Sequence, residues 1–370
     1  MKVLVTGAEG FVAKNLLVRL GELDDFEVVR FSRQTSEDEL AGLVADIDAV
    51  VHLAGVNRLQ SPEDFVTGNV GLTEKLCQAL VGTKRRIQVI FSSSTQAALD
   101  NAYGKSKRDA ENILWQYAKQ TGASVHVYRL PNVFGKWCKP NYNSVVATFC
   151  HNLARGLPIK INDDSAALKL VYVDNVIDDF IHVLREKPSV GVGEICDISV
   201  KYETTVGAVA QQIRAFRDSR ITLISERVGE GLVRALYSTY MSYLPPSLFS
   251  YEVPRHADSR GEFVEVLKTK DSGQFSFFTA YPGVTRGGHY HHSKTEKFLV
   301  IKGKARFGFR HIVTNETHEI FTSGEQPQIV ETIPGWSHDI TNISEDEMVV
   351  MLWSNEIFDR QHPDTIADKV

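Results

Sequence analysis

The chain has 370 residues, of which 43% are hydrophobic and 24% charged, and its formal net charge is −5; at ~150 residues per domain this predicts two domains or three, each large enough to bury a core. The acidic balance, with no basic run longer than Lys84-Arg85-Arg86, makes nucleic acid and anionic membrane surfaces poor partners, and no apolar run approaches the ~18 residues of a membrane span. Four cysteines (Cys77, Cys138, Cys150, Cys196) without a Cys-x-x-Cys pair make no disulfide framework, so a reducing cytoplasm is expected.

The first residues, MKVLVTGAEG, run straight into a glycine-rich motif, which is not the pattern of a cleavable signal sequence. From Met1 to about Pro188 short β-branched runs alternate with helix-like stretches. Met1–Thr6, Glu27–Phe31, Ala49–Leu53, Ile87–Ser92 and Val125–Leu130 read as strands. Between them, Ala13–Glu22, Thr73–Val81 and Lys105–Tyr117 repeat apolar residues every three or four positions. Nearly continuous hydrophobic strands separated by amphipathic helices predict a parallel sheet covered on both faces. The region Gly191–Leu244 is mixed. Past about Tyr251 short alternating segments take over, at Gln274–Thr279, Lys297–Ile301, Ala305–Arg310 and Met348–Trp353, with turns at Pro282-Gly283 and Pro334-Gly335. That pattern predicts an antiparallel barrel or sandwich. Pro245-Pro246 cannot continue a helix, which places the domain boundary there: 1–245 and 246–370.

Val3–Thr6 leads into Gly7-Ala8-Glu9-Gly10-Phe11-Val12-Ala13 and then a helix. Glycines at this strand-to-helix turn let backbone N–H groups approach a pyrophosphate at the helix N-terminus, so Gly7, Gly10, Phe11 and Val12 are candidate cofactor contacts. The second strand ends Arg30-Phe31-Ser32-Arg33, with no carboxylate for a ribose 2′-hydroxyl. A guanidinium suits the 2′-phosphate of NADP, and Arg33 is the better candidate.

Phe91-Ser92-Ser93-Ser94-Thr95 closes the fourth strand, and Tyr103-Gly104-Lys105-Ser106-Lys107 opens the next helix. Residues four apart share a helix face, so the Lys107 ammonium is expected near the Tyr103 phenol, lowering its pKa. The phenol can then pass a proton to a carbonyl oxygen as hydride reaches its carbon, while a serine hydroxyl from that strand end holds that oxygen.

These residues resemble the extended short-chain dehydrogenase/reductase family, in particular its nucleotide-sugar members. The likeness extends to His52-Leu53-Ala54-Gly55, Asn69-Val70, Arg129-Leu130-Pro131-Asn132-Val133-Phe134-Gly135 and Tyr172-Val173-Asp174. It implies a Rossmann-type fold, catalytic roles for Ser94 (or Ser93), Tyr103 and Lys107, cofactor contacts at Leu53, Ala54, Gly55 and Lys107, and a sugar-nucleotide contact at Asn132. Backbone capping is the other reading of Asn69 and Asn132. The dehydratases of that family carry Thr-Asp-Glu where this chain has Ser94-Thr95-Gln96, so elimination of water is not expected.

In the second half, Gly288-His289-Tyr290-His291-His292 precedes Glu296 and Gly303, and Pro334-Gly335-Trp336-Ser337-His338 precedes Asn342. In a strand His289 and His291 face one side and Tyr290 and His292 the other. His289, His291, Glu296 and His338 could together hold a divalent transition metal, whereas His292, His311 and His318 read as surface residues. The pattern resembles the cupin (jelly-roll) family: Gly283 to Gly303 fits Gly-x5-His-x-His-x4-Glu-x6-Gly. The second motif, Pro-x-Gly-x2-His-x3-Asn, lacks the residue between Pro334 and Gly335. Asp258-Ser259-Arg260-Gly261-Glu262-Phe263 and Val284–Tyr290 also resemble the deoxysugar 3,5-epimerases, in which the histidine at position 289 is a base. One imidazole cannot readily be both base and ligand, so the base stays open.

The whole chain resembles the fused reductase–cupin enzymes of bacterial capsule and O-antigen synthesis. The likeness implies a homodimer that takes a UDP-4-keto-2-acetamido-2,6-dideoxyhexose. It also implies C3 epimerisation in a zinc-containing second domain and NADPH-dependent C4 reduction in the first. The product would be UDP-2-acetamido-2,6-dideoxy-L-talose, a precursor of UDP-N-acetyl-L-fucosamine. Two other readings are a single-function reductase with a structural or dimerising barrel, and a redox-sensing binding protein.

Overall fold

The computed structural model describes the chain except residues 58–64, 254, 259–260, 265–266, 270–272 and 357–360. The chain packs as two compact units, Met1–Val133 with Lys169–Glu203, and Phe134–Leu168 with Thr204–Val370.

The first unit is built on a six-stranded parallel sheet. Its strands are β1 (Lys2–Thr6), β2 (Glu27–Phe31), β3 (Ala49–His52), β4 (Gln88–Ser94), β5 (Val125–Leu130) and a short sixth, Ile195–Cys196, in the order β2-β1-β3-β4-β5-sixth. Central strands are buried along their whole length, as in Val3-Leu4-Val5 and Ala49-Val50-Val51, which is why their sequence shows no alternation. Helices Phe11–Gly21, Leu72–Gly82 and Ala102–Thr121 follow β1, β3 and β4. The last begins three residues before the periodic stretch because the Asn101 side chain caps it, accepting from Gly104 N at 2.8 Å, and it stops at Gly122 with φ +71°. The chain turns one way from β1 to β2 and the other way to β3. A crevice therefore opens at the carboxyl ends of β1 and β3, where such sheets bind ligands.

In the second unit, two five-stranded antiparallel sheets form the predicted jelly roll. One runs Ser250–Glu252, Gln328–Glu331, Glu296–Lys302, Met348–Ser354, Gln274–Ala280. The other runs Thr317–Ser323, Lys304–His311, Trp336–Asn342, Thr285–Tyr290, Ile366–Ala367. Phe298, Phe307, Phe309, Ile340, Val350 and Trp353 fill the interior. The mixed stretch before it resolves into short strands and the helices Val206–Thr222 and Gly231–Ser242.

A buried ionic knot ties the first of those helices to the barrel. The Glu331 carboxylate accepts from both Lys297 and Arg220, Lys297 Nζ reaches Tyr251 Oη at 3.1 Å, and the Arg220 guanidinium lies 4.4 Å from the Tyr251 ring centroid. Glu331→Gln would leave two buried cations without their counter-charge. It is expected to destabilise the protein by about 3–5 kcal/mol, read as a fall in denaturant midpoint; a loss below about 1 kcal/mol, the scale of an exposed ion pair, would show that the knot does not hold the barrel.

Candidate active site and metal centre

Gly7 has φ +67°, and a Cβ there would sit 2.8 Å from both the backbone N and Cα of Ala54. Only glycine allows the loops after β1 and β3 to approach so closely. The loop after β3 is pinned by Thr6 Oγ1, which accepts from Leu53 N and Ala54 N at 3.1 Å each. Its own hydrogen therefore points to His52 Nδ1 at 2.7 Å, leaving His52 Nε2–H to donate to Thr73 Oγ1 at 3.0 Å. Burial, with the Lys107 charge adding to it, lowers the His52 pKa to about 3, so this histidine is a neutral structural strut. Gly10 begins helix Phe11–Gly21 with no side-chain cap, so the N–H groups at Phe11 and Val12 face the crevice without a side-chain competitor. Those open N–H groups, and the cradle a Cβ at Gly7 would fill, fit a dinucleotide pyrophosphate. Arg33 lies exposed just past the end of β2.

Tyr103 is half-buried in the first turn of helix Ala102–Thr121 and packs on Phe65, with ring centroids 5.4 Å apart. Ser94, the last residue of β4, is the serine near enough to its hydroxyl to act on its acidity. Ser93 turns the other way and donates to Glu111 Oε1, a fully buried carboxylate also gripped by Arg129 at 3.0 and 2.7 Å. Of the two serines it is Ser94 that joins the tyrosine. Lys107 Nζ donates to Ser92 O at 3.1 Å and stands where a Gly55 Cβ would be 3.2 Å away. The expectation that Lys107 lowers the phenol is corrected here. Burial raises Tyr103, only the neighbouring Ser94 opposes it, and burial brings Lys107 itself down to about 8. Asn69 clasps the loop after β3, accepting from Val56 N at 2.7 Å and donating to Val56 O and Ser106 Oγ, which is its capping reading. Asn132 is exposed, its amide donating to Lys169 O at 3.3 Å.

In the second unit the ligand atoms of His289, His291, Glu296 and His338 all lie within 4.8 Å of one another. A bulge between Gly287 and His289, with φ +97° at Gly287 and +75° at Gly288, re-aims the strand, and His289 sits opposite His338. Glu296 comes from the facing sheet, and its Oε2 is 3.3 Å from His291 Nε2 and 3.6 Å from His338 Nε2. His291 Nδ1 meets the Asp364 carbonyl, which can only accept, so Nε2 keeps its lone pair toward the cluster. Both ring nitrogens of His338 are buried without a hydrogen-bond partner among the described residues. Burial first, then the neighbouring imidazoles, lowers His289 to about 3, and burial also lowers His338. Burial opposes the Glu296 charge, yet the adjoining His291 and His338 rings and the Lys294 charge hold it well below the usual range. Lone pairs on neutral imidazoles beside an ionised carboxylate fit a divalent transition metal.

The cluster opens on a cavity of about 290 Å³ lined also by Phe278, Arg286, Lys294, Phe298 and Thr365. The C-terminal segment that completes it has no motif to announce it. The Asp364 carboxylate accepts from the backbone N–H groups of His292, Ser293 and Lys294 at 2.7–2.8 Å, and Ile366–Ala367 pairs with Tyr290 and His289. His292 was expected on the surface and is instead buried, because Asp364 draws its turn inward. His311 accepts from Trp137 Nε1 at 3.2 Å, and His318 is half-buried with its ring 6.0 Å from that of Phe249. In the epimerase-like stretch, Ser259 and Arg260 lie outside the described residues.

Residues 3–199 match the family described as "NAD dependent epimerase/dehydratase family", and residues 256–366 match "Polysaccharide biosynthesis C-terminal domain". Over 370 residues the chain is 57% identical to the UDP-2-acetamido-2,6-beta-L-arabino-hexul-4-ose reductase of Pseudomonas aeruginosa, covering 100% of this chain and 99% of that one. The crystal structure of capsular polysaccharide assembling protein CapF from Staphylococcus aureus matches with a TM-score of 0.68 and 39% identity, covering 100% of both chains. UDP-glucuronic acid 4-epimerase from Bacillus cereus in complex with NAD, 21% identical over 58% of this chain and 83% of its own, shares the fold with a TM-score of 0.52.

Because a Cβ at position 7 would collide with backbone in a left-handed conformation, Gly7→Ala is expected to cost about 1–3 kcal/mol. It should also abolish the rise in Tm that a nicotinamide dinucleotide gives the unaltered protein; an undiminished rise would remove Gly7 from the site.

Proposed function

This chain belongs to the NAD dependent epimerase/dehydratase family, and we propose that it is an NADPH-dependent UDP-4-ketosugar reductase whose barrel also inverts C3 of the same sugar. The observation that carries this reading is the juxtaposition of Tyr103 with Ser94, with Lys107 one turn along, at the mouth of a nucleotide-binding turn. The name of the 57%-identical relative supports a 4-keto substrate, and the matched capsule protein supports a role in surface-polysaccharide synthesis.

In this reading Gly7, Gly10, Phe11 and Val12 receive the pyrophosphate, Arg33 the 2′-phosphate, and Leu53, Ala54, Gly55 and Lys107 the nicotinamide end. Asn132 faces the sugar nucleotide. When bound, NADPH supplies the hydride. Ser94 holds the C4 carbonyl oxygen and Tyr103 gives it a proton, so ketone, hydride and proton become alcohol. Thr95 and Gln96 are exposed and carry no carboxyl group, which argues against elimination of water.

In the barrel, the C4 ketone acidifies the C3 proton, and its removal and return on the other face inverts the centre. His289, His291, Glu296 and His338 would hold a divalent ion, by our reading zinc; when bound it supplies positive charge toward an enolate oxygen. The chain's own residues shape the cavity: Phe278 and Phe298 line an apolar wall, and Arg286 and Lys294 carry positive charge into it. The product would be UDP-2-acetamido-2,6-dideoxy-L-talose. We place the junction of the two modules at residues 245/246 and expect a homodimer.

Incubation with a UDP-4-keto-2-acetamido-2,6-dideoxyhexose in deuterated water without NADPH should place deuterium on C3, and His338→Ala should abolish or weaken that exchange. No exchange in a protein that still oxidises NADPH would reduce the barrel to a structural part.

A second expectation follows from Lys107. Its pKa of about 8 lies below its ordinary value because it is buried, so its charge disappears as pH rises through about 8. Reduction should lose rate through a limb near that pH, while the folding penalty of the buried ammonium, present below about 8, is relieved toward 10.5. A kcat/KM profile flat to pH 9.5 would show that the Lys107 charge plays no part.

A further inference from the structure

Lys294 occupies the turn between His291 and the strand Glu296–Lys302, and it is buried. A buried ammonium needs partners inside the protein, and among the described residues Glu296 Oε1 at 3.3 Å and Thr365 Oγ1 at 3.1 Å are in reach. The other Glu296 oxygen, Oε2, faces the imidazoles of His291 and His338. The carboxylate is thus divided, one oxygen toward a fixed cation and one toward the histidines.

The surroundings hold Lys294 in place from two sides. Its own N–H and those of the two preceding residues bond the Asp364 carboxylate. On the far side of the turn, Ser238 Oγ donates to Ser293 O at 2.6 Å and Arg234 to Ser293 Oγ at 2.7 Å. Lys294 and Thr365 both line the cavity onto which the cluster opens.

Resting on the metal reading above, we infer that Lys294 is a positioning residue that makes Glu296 a one-oxygen ligand. Three imidazole nitrogens and a single oxygen leave a further coordination position on a divalent ion, facing the cavity. A carboxylate gripping through both oxygens would fill that position and shut out an oxygen of an incoming ketosugar. Thr365, reached from the C-terminal segment, sets the depth of the ammonium.

Full-length protein stripped of metal and reloaded with Co(II) tests this, since its visible bands weaken as the coordination number rises. The unaltered protein should take up about one cobalt per chain, with strong bands, and bind azide at the open position. Lys294→Met should keep its cobalt but show weaker bands and about tenfold weaker azide binding, the scale expected on removing an outer partner of a ligand. Lys294→Arg should restore both, and Thr365→Val, a milder change should Lys294→Met fold poorly, should move both partway. Unchanged bands and azide affinity in Lys294→Met overturn the inference. So does loss of cobalt from a variant with an unaltered circular-dichroism spectrum, because a group that merely orients one oxygen leaves three imidazoles in place. Failure of the unaltered protein to bind cobalt would sink the metal reading itself, before any variant is compared.

Discussion

A cation buried in protein keeps only the partners the fold supplies, and three lysines make that constraint visible. Lys107 has the Ser92 carbonyl and the field of Glu111, Lys294 has Glu296 and Thr365, and Lys297 has Glu331 and Tyr251. Each therefore fixes a second group: the end of β4 in the first unit, a candidate metal ligand and the strand Gln328–Glu331 in the second. Apolar packing decides that these elements form, while the buried charges decide how their ends are aimed.

Much of this was legible because the deciding forces are local. Strands β2 and β5 run over the residues their hydrophobic runs mark, and β1 and β3 differ by a residue at one end. Burial on both faces produces such runs, and their alternation with amphipathic helices let the parallel sheet be read directly. The cupin residues were legible for a related reason: a strand alternates its faces, and His289, His291 and Glu296 are a turn apart in sequence.

What stayed hidden depends on partners far along the chain. Nothing near Ser93 and Ser94 reveals which one turns inward; the answer lies with Glu111 and Arg129, brought together by the helix after β4 and by β5. Asp364 stands some seventy residues beyond the turn it caps, without a motif, so the inward position of His292 could not be foreseen. The acidity of Tyr103 failed for another reason. Spacing places an ammonium on the same helix face, but it says nothing of how much water either group retains, and desolvation proved the larger influence.

That reversal bears on the direction of the chemistry. A dehydrogenase oxidising an alcohol needs its tyrosine as phenolate, so a phenol driven down in pKa would suit it. Reduction needs the phenol to arrive with its proton and give it up only when hydride creates an alkoxide, a base far stronger than phenolate. A Tyr103 raised by burial holds its proton at neutral pH and still has a large driving force for that transfer. In the epimerisation proposed for the barrel the demand would be opposite: the positive charge of Arg286 and Lys294, with a cation held by the His/Glu cluster, would favour a negative oxygen. Depriving the two units' groups of water thus suits the first to deliver a proton and, on the proposed reading, the second to tolerate its removal.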